Sequence, residues 1–373
     1  MLSTMRKLHL LKIFFLIFLF TQQAFAQQFF NDEFDRDKSY ILLAHPTVQN
    51  LKTILFLTEN QIFDAGDAEF VGVYSRDESY DFGQSLRFAE KENLQNIHFQ
   101  EITGPLNLPD IYKANDCTEL FRLIFENSSG LILFGGPDIM PEAYSEDNLY
   151  SEVTDPNRHL FELSLIFHLL GGSQSPDFVP LLNENPDFVV TGFCLGMQTM
   201  NVATGGSLVQ DIPAQIYNAR SDQEIVALPK NQLHRNYWQN LSSDSLLMGI
   251  NFHPILFGND DFFKNEVGYK KSSFPVVLSS HHQSANRMGK NWVATARSED
   301  GKIIEGIRHE KYKNVFAVQF HPEVPALYEN REKLKFSPDD KPKTYHEIIK
   351  KRGLEFHLKY WRYISKAFRN ATK

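Results

Sequence analysis

The sequence predicts an α/β fold: a three-layer sandwich around a mainly parallel sheet, with a nucleophile on a strand-turn-helix elbow. Three observations carry this reading. Short apolar runs alternate with helical stretches through the first half of the chain, as repeated βαβ units require. The apolar run Val189–Phe193 stops within Gly192-Phe193-Cys194-Leu195-Gly196 and gives way to a helical pattern. A second run ends in Gly135-Gly136-Pro137. Both endings fall at C-terminal strand ends, where sheets of this kind bind ligands.

The chain begins with Arg6, Lys7 and Lys12, an apolar stretch over residues 13–20, and Ala24-Phe25-Ala26. This is the charged, apolar and small-residue order of a secretory signal, with cleavage expected near Ala26. The apolar stretch is about half the ~18–20 residues a membrane span needs, which sets a signal above an uncleaved anchor. Export to the periplasm or outside the cell is therefore expected, with no stable membrane insertion after cleavage. About 350 of the 373 residues then remain, enough for one large domain or two modest ones. The division expected is a signal at 1–26, the main domain at 27–330 and a helical extension at 331–373.

Along the mature chain, strands are expected at 53–57, 70–74, Ile97–Ile102 and 130–134, with helices at Gly83–Lys91, 117–127 and 157–170. Residues 171–186 read as a loop rich in Gly, Ser, Pro and Asn. Beyond the elbow helix, Gly205-Gly206 supplies a stop. The stretch 211–271 reads as irregular and insertion-like, with turns such as Gly258-Asn259-Asp260-Asp261. Regular strands return at 276–278, 292–296, 303–308 and 315–320. The tail, 344–373, reads as a helix with Leu354, Leu358, Trp361 and Phe368 near one face. Its basic side would suit a membrane or an acidic partner, but docking on the body is the preferred reading.

A formal charge of −8 gives no footprint for nucleic acid, so no nucleic-acid partner is expected. The two cysteines, Cys117 and Cys194, make no disulfide framework. In an exported chain they could form one bridge. Against that, a bridge would consume a thiol set on a tight turn, where small flanking residues present the side chain.

The final β-like run ends in Phe320-His321-Pro322-Glu323. His321 and Glu323 are two apart, so their side chains can point to one side of a strand end. A carboxylate beside an imidazole orients the ring and stabilises its protonated form, and an imidazole beside a thiol makes a thiolate available near neutral pH. The remaining histidines show no recognisable metal-ligand spacing, so no metal and no other cofactor is expected.

Taken together these residues resemble the class I glutamine amidotransferase-like superfamily, and more narrowly its γ-glutamyl hydrolase branch, the peptidase C26 group that includes the γ-glutamyl-γ-aminobutyrate hydrolases. The matching pieces occur in the family's order: residues 131–137 with Pro141 and Tyr144, Asp155-Pro156-x-Arg158, residues 192–198 followed by Asn201-Val202 and residues 205–208, then 279–283, 294–306 and 318–323. The resemblance implies a flavodoxin-like sandwich with Cys194 as nucleophile, His321 as general acid and base, and Glu323 orienting the ring. It implies an oxyanion hole from the backbone N–H groups of Leu195 and of Gly136 or Gly135. Gln198, His281 and Gln283 would contact a small γ-glutamyl substrate. At His159 the family often has Asp, which puts an electrostatic role for that helix start in question.

The activity implied is acyl transfer through a Cys194 thioester, a γ-glutamyl amide or peptide being cleaved without a metal. The alternatives are a glutaminase component that passes ammonia to a synthase, and a non-catalytic binding protein on the same fold. Export and the lack of a synthase domain in this chain weigh against the first. The intact Cys, His and Glu set weighs against the second.

Overall fold

A computed structural model describes residues 27–371 except 32, 271–273 and 330, so the proposed signal segment lies outside the described residues. The first strand is β1 (Tyr40–Ala44), followed by α1 (Val48–Glu59), β2 (Glu69–Ser75), α2 (Gly83–Lys91), β3 (Ile97–Ile102), α3 (Thr118–Glu126) and β4 (Gly130–Leu133). Then come α4 (Pro156–Leu170), β5 (Val189–Phe193), α5 (Leu195–Ala203) and β6 (Leu208–Val209). Residues 53–57, expected as a strand, lie inside α1. Thr47 caps that helix by accepting from Asn50 N, and Leu51, Ile54 and Leu57 are buried at helical spacing. The run is apolar because it faces the core of a helix, and β1, which does open the sheet, lies just before it.

The stretch 211–271 is more regular than its composition suggests. It holds the short helices α6 (Ile212–Tyr217), α7 (Asp222–Val226), α8 (Trp238–Leu241) and α9 (Phe262–Asn265). It also holds β7 (Asn251–Phe257), which joins the main sheet. Next follow β8 (Val276–Ser279), β9 (Ser284–Ala285), β10 (Trp292–Ser298), β11 (Ile304–His309), β12 (Val315–Val318) and α10 (Tyr345–Ala371), which breaks helical geometry at Lys350.

Ten strands form one sheet in the order β3-β2-β1-β4-β5-β12-β11-β10-β7-β8. The pairs from β3 through β12 are parallel and those from β12 to β8 antiparallel. Alternate residues of each strand face opposite layers. Leu42, Leu131 and Val190 pack with Phe121 of α3, Phe161 of α4 and Met197 of α5. Ile41, Ile132 and Val189 pack on the other face with Leu51 and Ile54 of α1 and with Phe356, Trp361 and Phe368 of α10. The fold is thus a three-layer α/β sandwich, and α10 belongs to one of its two helical layers. No helix of the described residues is long and apolar enough to cross a membrane.

Candidate active site

β5 runs into α5 through one residue, and that residue is Cys194. Its backbone sits at φ 53°, ψ −106°, a region L-residues rarely occupy. The strain is held from both sides: Cys194 N donates to Val318 O of β12 at 3.0 Å, and Gln198 N donates to Cys194 O at 3.2 Å. Glycine is needed close by because a Cβ on Gly196 would lie 2.7 Å from Leu133 O, a backbone atom of the sheet. Gly196→Ala is expected to destabilise the protein by roughly 1–3 kcal/mol, as overpacked cores do. A urea midpoint equal to that of the wild type would show that the turn has room to spare.

His321 follows β12, the parallel neighbour of β5, so it arrives at the same sheet end as Cys194. Its Nδ1 is 2.7 Å from Glu323 Oε1, and its backbone N donates to Leu278 O at 2.9 Å. The link between the two side chains is fixed at Pro322 O, which accepts from Tyr328 Oη (2.6 Å) and from Trp361 Nε1 of α10 (2.9 Å). Burial pulls the imidazole pKa down, but the Glu323 carboxylate and the Cys194 sulfur outweigh it and hold the ring well above 6.5. The position where a side chain on Gly135 would begin is 2.9 Å from His321 Cε1 and 3.6 Å from Cys194 Cβ. Gly135-Gly136, Cys194, His321 and Glu323 therefore meet at one place. Leu195 is the first residue of α5, where backbone N–H groups have no intrahelical acceptor.

A buried ion pair supports the glycine turn. Arg158 Nε donates to Glu162 Oε1 at 2.8 Å, and Nη2 donates to both Phe134 O and Gly135 O at 3.2 Å. The guanidinium can lie there because residue 136 has no side chain: a Cβ on Gly136 would sit 2.2 Å from Arg158 Nη1. The start of α4 is capped by Asp155, which accepts from Arg158 N. His159 is buried and held neutral by burial and by Arg158, its pKa lowered to about 3. The electrostatic work of this helix start is done by the neighbouring Arg158.

Cys194 opens into a cleft of about 320 Å³ whose walls include Gly136, Asp138, Glu152, Gln198, Arg235 and His282. Its lining carries both signs of charge. His282 is clamped between two carboxylates, with Nε2 2.9 Å from Asp138 and Nδ1 3.1 Å from Asp211. Burial acts against its charge, but the two hydrogen-bonded carboxylates raise its pKa to about 9. A folded-state pKa above the ordinary 6.5 contributes stability that is full below pH 6.5 and is lost as pH rises through about 9. His282→Gln is accordingly expected to cost on the order of 2 kcal/mol at pH 6 and much less at pH 10. An equal gap at both values would mean the ring carries no charge.

The expected substrate contacts divide. Gln198 lines the cleft and donates to Gln319 Oε1 at 3.3 Å. Gln283 instead spends its amide nitrogen on Ser151 Oγ and Gln210 O, tying three loops together. His281 also bonds within the protein, with Nδ1 2.8 Å from Gln283 O and Nε2 pointing towards Glu305, 3.7 Å away. Both residues nevertheless line the cleft with Gln198 and Cys194, and Gln283 Oε1 makes no hydrogen bond among the described residues. Histidines without any ligand spacing along the chain nevertheless meet in space. His234, His253, His281 and Glu305 converge behind the cleft wall, their ligand-type atoms all within 4.8 Å of one another. Burial lowers His234 and His253 to about 4 and His281 well below 6.5, and raises Glu305 to about 7. Spacing along the chain hides this set, because its members come from β7, β11 and two separate loops. Both cysteines are free, so the alternative of a Cys117–Cys194 bridge does not hold.

A strained cysteine at a strand-helix elbow, with a His-Glu pair delivered by the adjacent parallel strand, defines the class I glutamine amidotransferase-like superfamily for this chain. The family model for peptidase C26 matches residues 70–323, more than half of the sequence, and the chain belongs to that family. A protein of Rickettsia prowazekii named as glutamine amidotransferase-like is 27% identical over 242 residues, covering 59% of this chain and 76% of the relative. One of Lactococcus lactis with the same description is 30% identical over 226 residues, covering 60% and 77%. Protein NtpR of Enterococcus hirae is 31% identical over 197 residues, covering 52% and 66%.

Proposed function

We propose that this protein is an exported γ-glutamyl hydrolase that cleaves a small γ-glutamyl amide or peptide through a Cys194 thioester. The observation that carries the reading is the meeting of Cys194, His321 and Glu323 beside a cleft that Cys194 lines and whose walls carry both signs of charge. The thiolate attacks the side-chain carbonyl carbon, forming the C–S bond while the carbonyl oxygen takes up negative charge near the N–H groups of Leu195 and Gly136. His321 donates its proton to the amine nitrogen as the C–N bond breaks. Water then attacks the thioester, giving its proton to the imidazole, and the C–S bond breaks to return the thiol and release the glutamyl carboxylate. The glutamyl end of such a substrate carries an α-ammonium and an α-carboxylate. Asp138 and Glu152 suit the first and Arg235 suits the second.

Incubation of the mature protein with a panel of γ-glutamyl amines, γ-glutamyl peptides and free glutamine, read by mass spectrometry, tests the proposal. Release of glutamate from the amides or peptides is expected. Turnover of glutamine alone would favour a glutaminase component, and turnover of no member would favour a binding protein. Export rests on the first 26 residues, and N-terminal sequencing of protein from the native host is expected to begin near Gln27. An intact N-terminus on the mature protein would remove that part of the reading.

A further inference from the structure

We propose that His234, His253, His281 and Glu305 form a binding site for one divalent transition metal, zinc by the chemistry of the set, placed behind the wall of the catalytic cleft. Three imidazoles and one carboxylate are the nitrogen and oxygen donors that a tetrahedral zinc site uses. Metal–ligand bonds of about 2.0–2.1 Å in a tetrahedron put the donors about 3.3 Å apart. Around Glu305 Oε1 the histidine nitrogens stand at 3.0 Å (His234 Nδ1), 3.6 Å (His253 Nε2) and 3.7 Å (His281 Nε2), a spread that brackets this value.

All four side chains are at most 1% exposed, yet much of their polar surface is unsatisfied. Both oxygens of Glu305, both ring nitrogens of His234 and Nε2 of His281 make no hydrogen bond among the described residues. Close approach without hydrogen-bond geometry is what lone pairs aimed at a common centre produce. Each such atom carries a desolvation cost of about 1–3 kcal/mol, and a single cation, taking one donor from each residue, relieves one on His234, one on His281 and one on Glu305 together.

The surroundings also fix the orientation of the rings. His281 Nδ1 meets Gln283 O at 2.8 Å and His253 Nδ1 meets Pro254 O at 3.1 Å. A backbone carbonyl accepting from Nδ1–H keeps the proton on that nitrogen and leaves Nε2 with its lone pair free, the outer-shell arrangement typical of metal-bound histidine. The Ser279 hydroxyl, 2.7 Å from Nε2 of His253, must turn away when a metal takes that nitrogen. The four ligands come from the loop before α8, from β7, from the turn after β8 and from β11, so one ion would cross-link the antiparallel half of the sheet. It would also pin residues 280–283, whose His282 clamps the cleft. The site stands independently of the reaction assigned to Cys194.

The test uses untagged mature protein, because an affinity tag of histidines would itself carry metal. Elemental analysis is expected to find about one zinc per chain, removed by a strong chelator with a fall in melting temperature and restored by added Zn²⁺. Cobalt added to the stripped protein is expected to give the intense visible absorption of a tetrahedral site. Glu305→Gln and His253→Ala are expected to weaken zinc binding more than 100-fold, beyond the 10–100-fold seen for outer-shell changes. Should either variant fail to fold, the cobalt spectrum and zinc titration of the stripped wild type decide alone. Wild-type protein that is metal-free as purified, takes up neither zinc nor cobalt and gains no melting temperature from them would overturn the site. So would full metal content in the folded variants.

Discussion

Cys194→Ala is expected to lower kcat by roughly 10⁴-fold or more and to leave the protein folded with substrate affinity nearly unchanged, since removal of a nucleophile abolishes a covalent route without removing binding contacts. His321→Ala is expected to cost about as much, and the double variant little more, because groups that act as one unit are not additive. Glu323→Gln is expected to lose about 10⁴-fold, since the amide can no longer hold the ring's charge and tautomer against Nδ1. An independent check uses the two thiols. Cys117 is fully buried, meets Gly104 O and is pushed up to about 11 by burial, whereas Cys194 opens on the cleft beside a charged ring. An alkylating reagent at neutral pH is expected to label Cys194 far faster, and the difference should shrink in His321→Ala. Equal labelling in the wild type, or unchanged products from Cys194→Ala, would sink the catalytic assignment.

Cys194, His321 and Glu323 are legible in the sequence because their chemistry is written in local order. A strand that stops at Gly-x-Cys-x-Gly and a strand that ends in His-Pro-Glu each announce their own geometry. The parallel strands from Glu69 to Val318 are legible for the same reason, their apolar runs being short and bounded by turns. Residues 53–57 mislead because a buried face of α1 contains enough consecutive apolar residues to imitate a strand. β7 escapes notice because Pro254 and the asparagine-rich turns around it outweigh the seven residues that pair with β8 and β10. The four-residue cluster is out of reach for a different reason. His253 and Glu305 are brought together by the antiparallel pairing of β7, β10 and β11, and the loop residues His234 and His281 by the hydrogen bond from His281 N to His234 O, so their meeting is a property of register and loop docking. The motif puts His281 and Gln283 in the right region, but which way a side chain turns depends on neighbours that the motif does not contain.

Arg158 shows how much of the site lies beneath the residues that react. Arg158→Met is expected to destabilise the protein by roughly 3–5 kcal/mol, since it leaves the Glu162 carboxylate buried without its partner. That carboxylate is already raised in pKa by burial, which the guanidinium opposes. Arg158→Met with Glu162→Met removes both charges and is expected to recover most of the loss, as paired apolar replacements of buried ion pairs do. Catalysis should not recover with it. The guanidinium donates to Phe134 O and Gly135 O, and these carbonyls orient the peptide planes that present the N–H groups of Gly135 and Gly136 to the reacting oxygen. Removing one oxyanion donor typically costs 10²–10³-fold in kcat, so the stabilised double variant is expected to lose roughly tenfold or more in kcat with KM little changed. A double variant with wild-type stability and wild-type kcat would show that the sheet alone holds the glycine turn. If Arg158→Met unfolds at the wild-type urea concentration, the pair is hydrated in solution and the argument from burial fails.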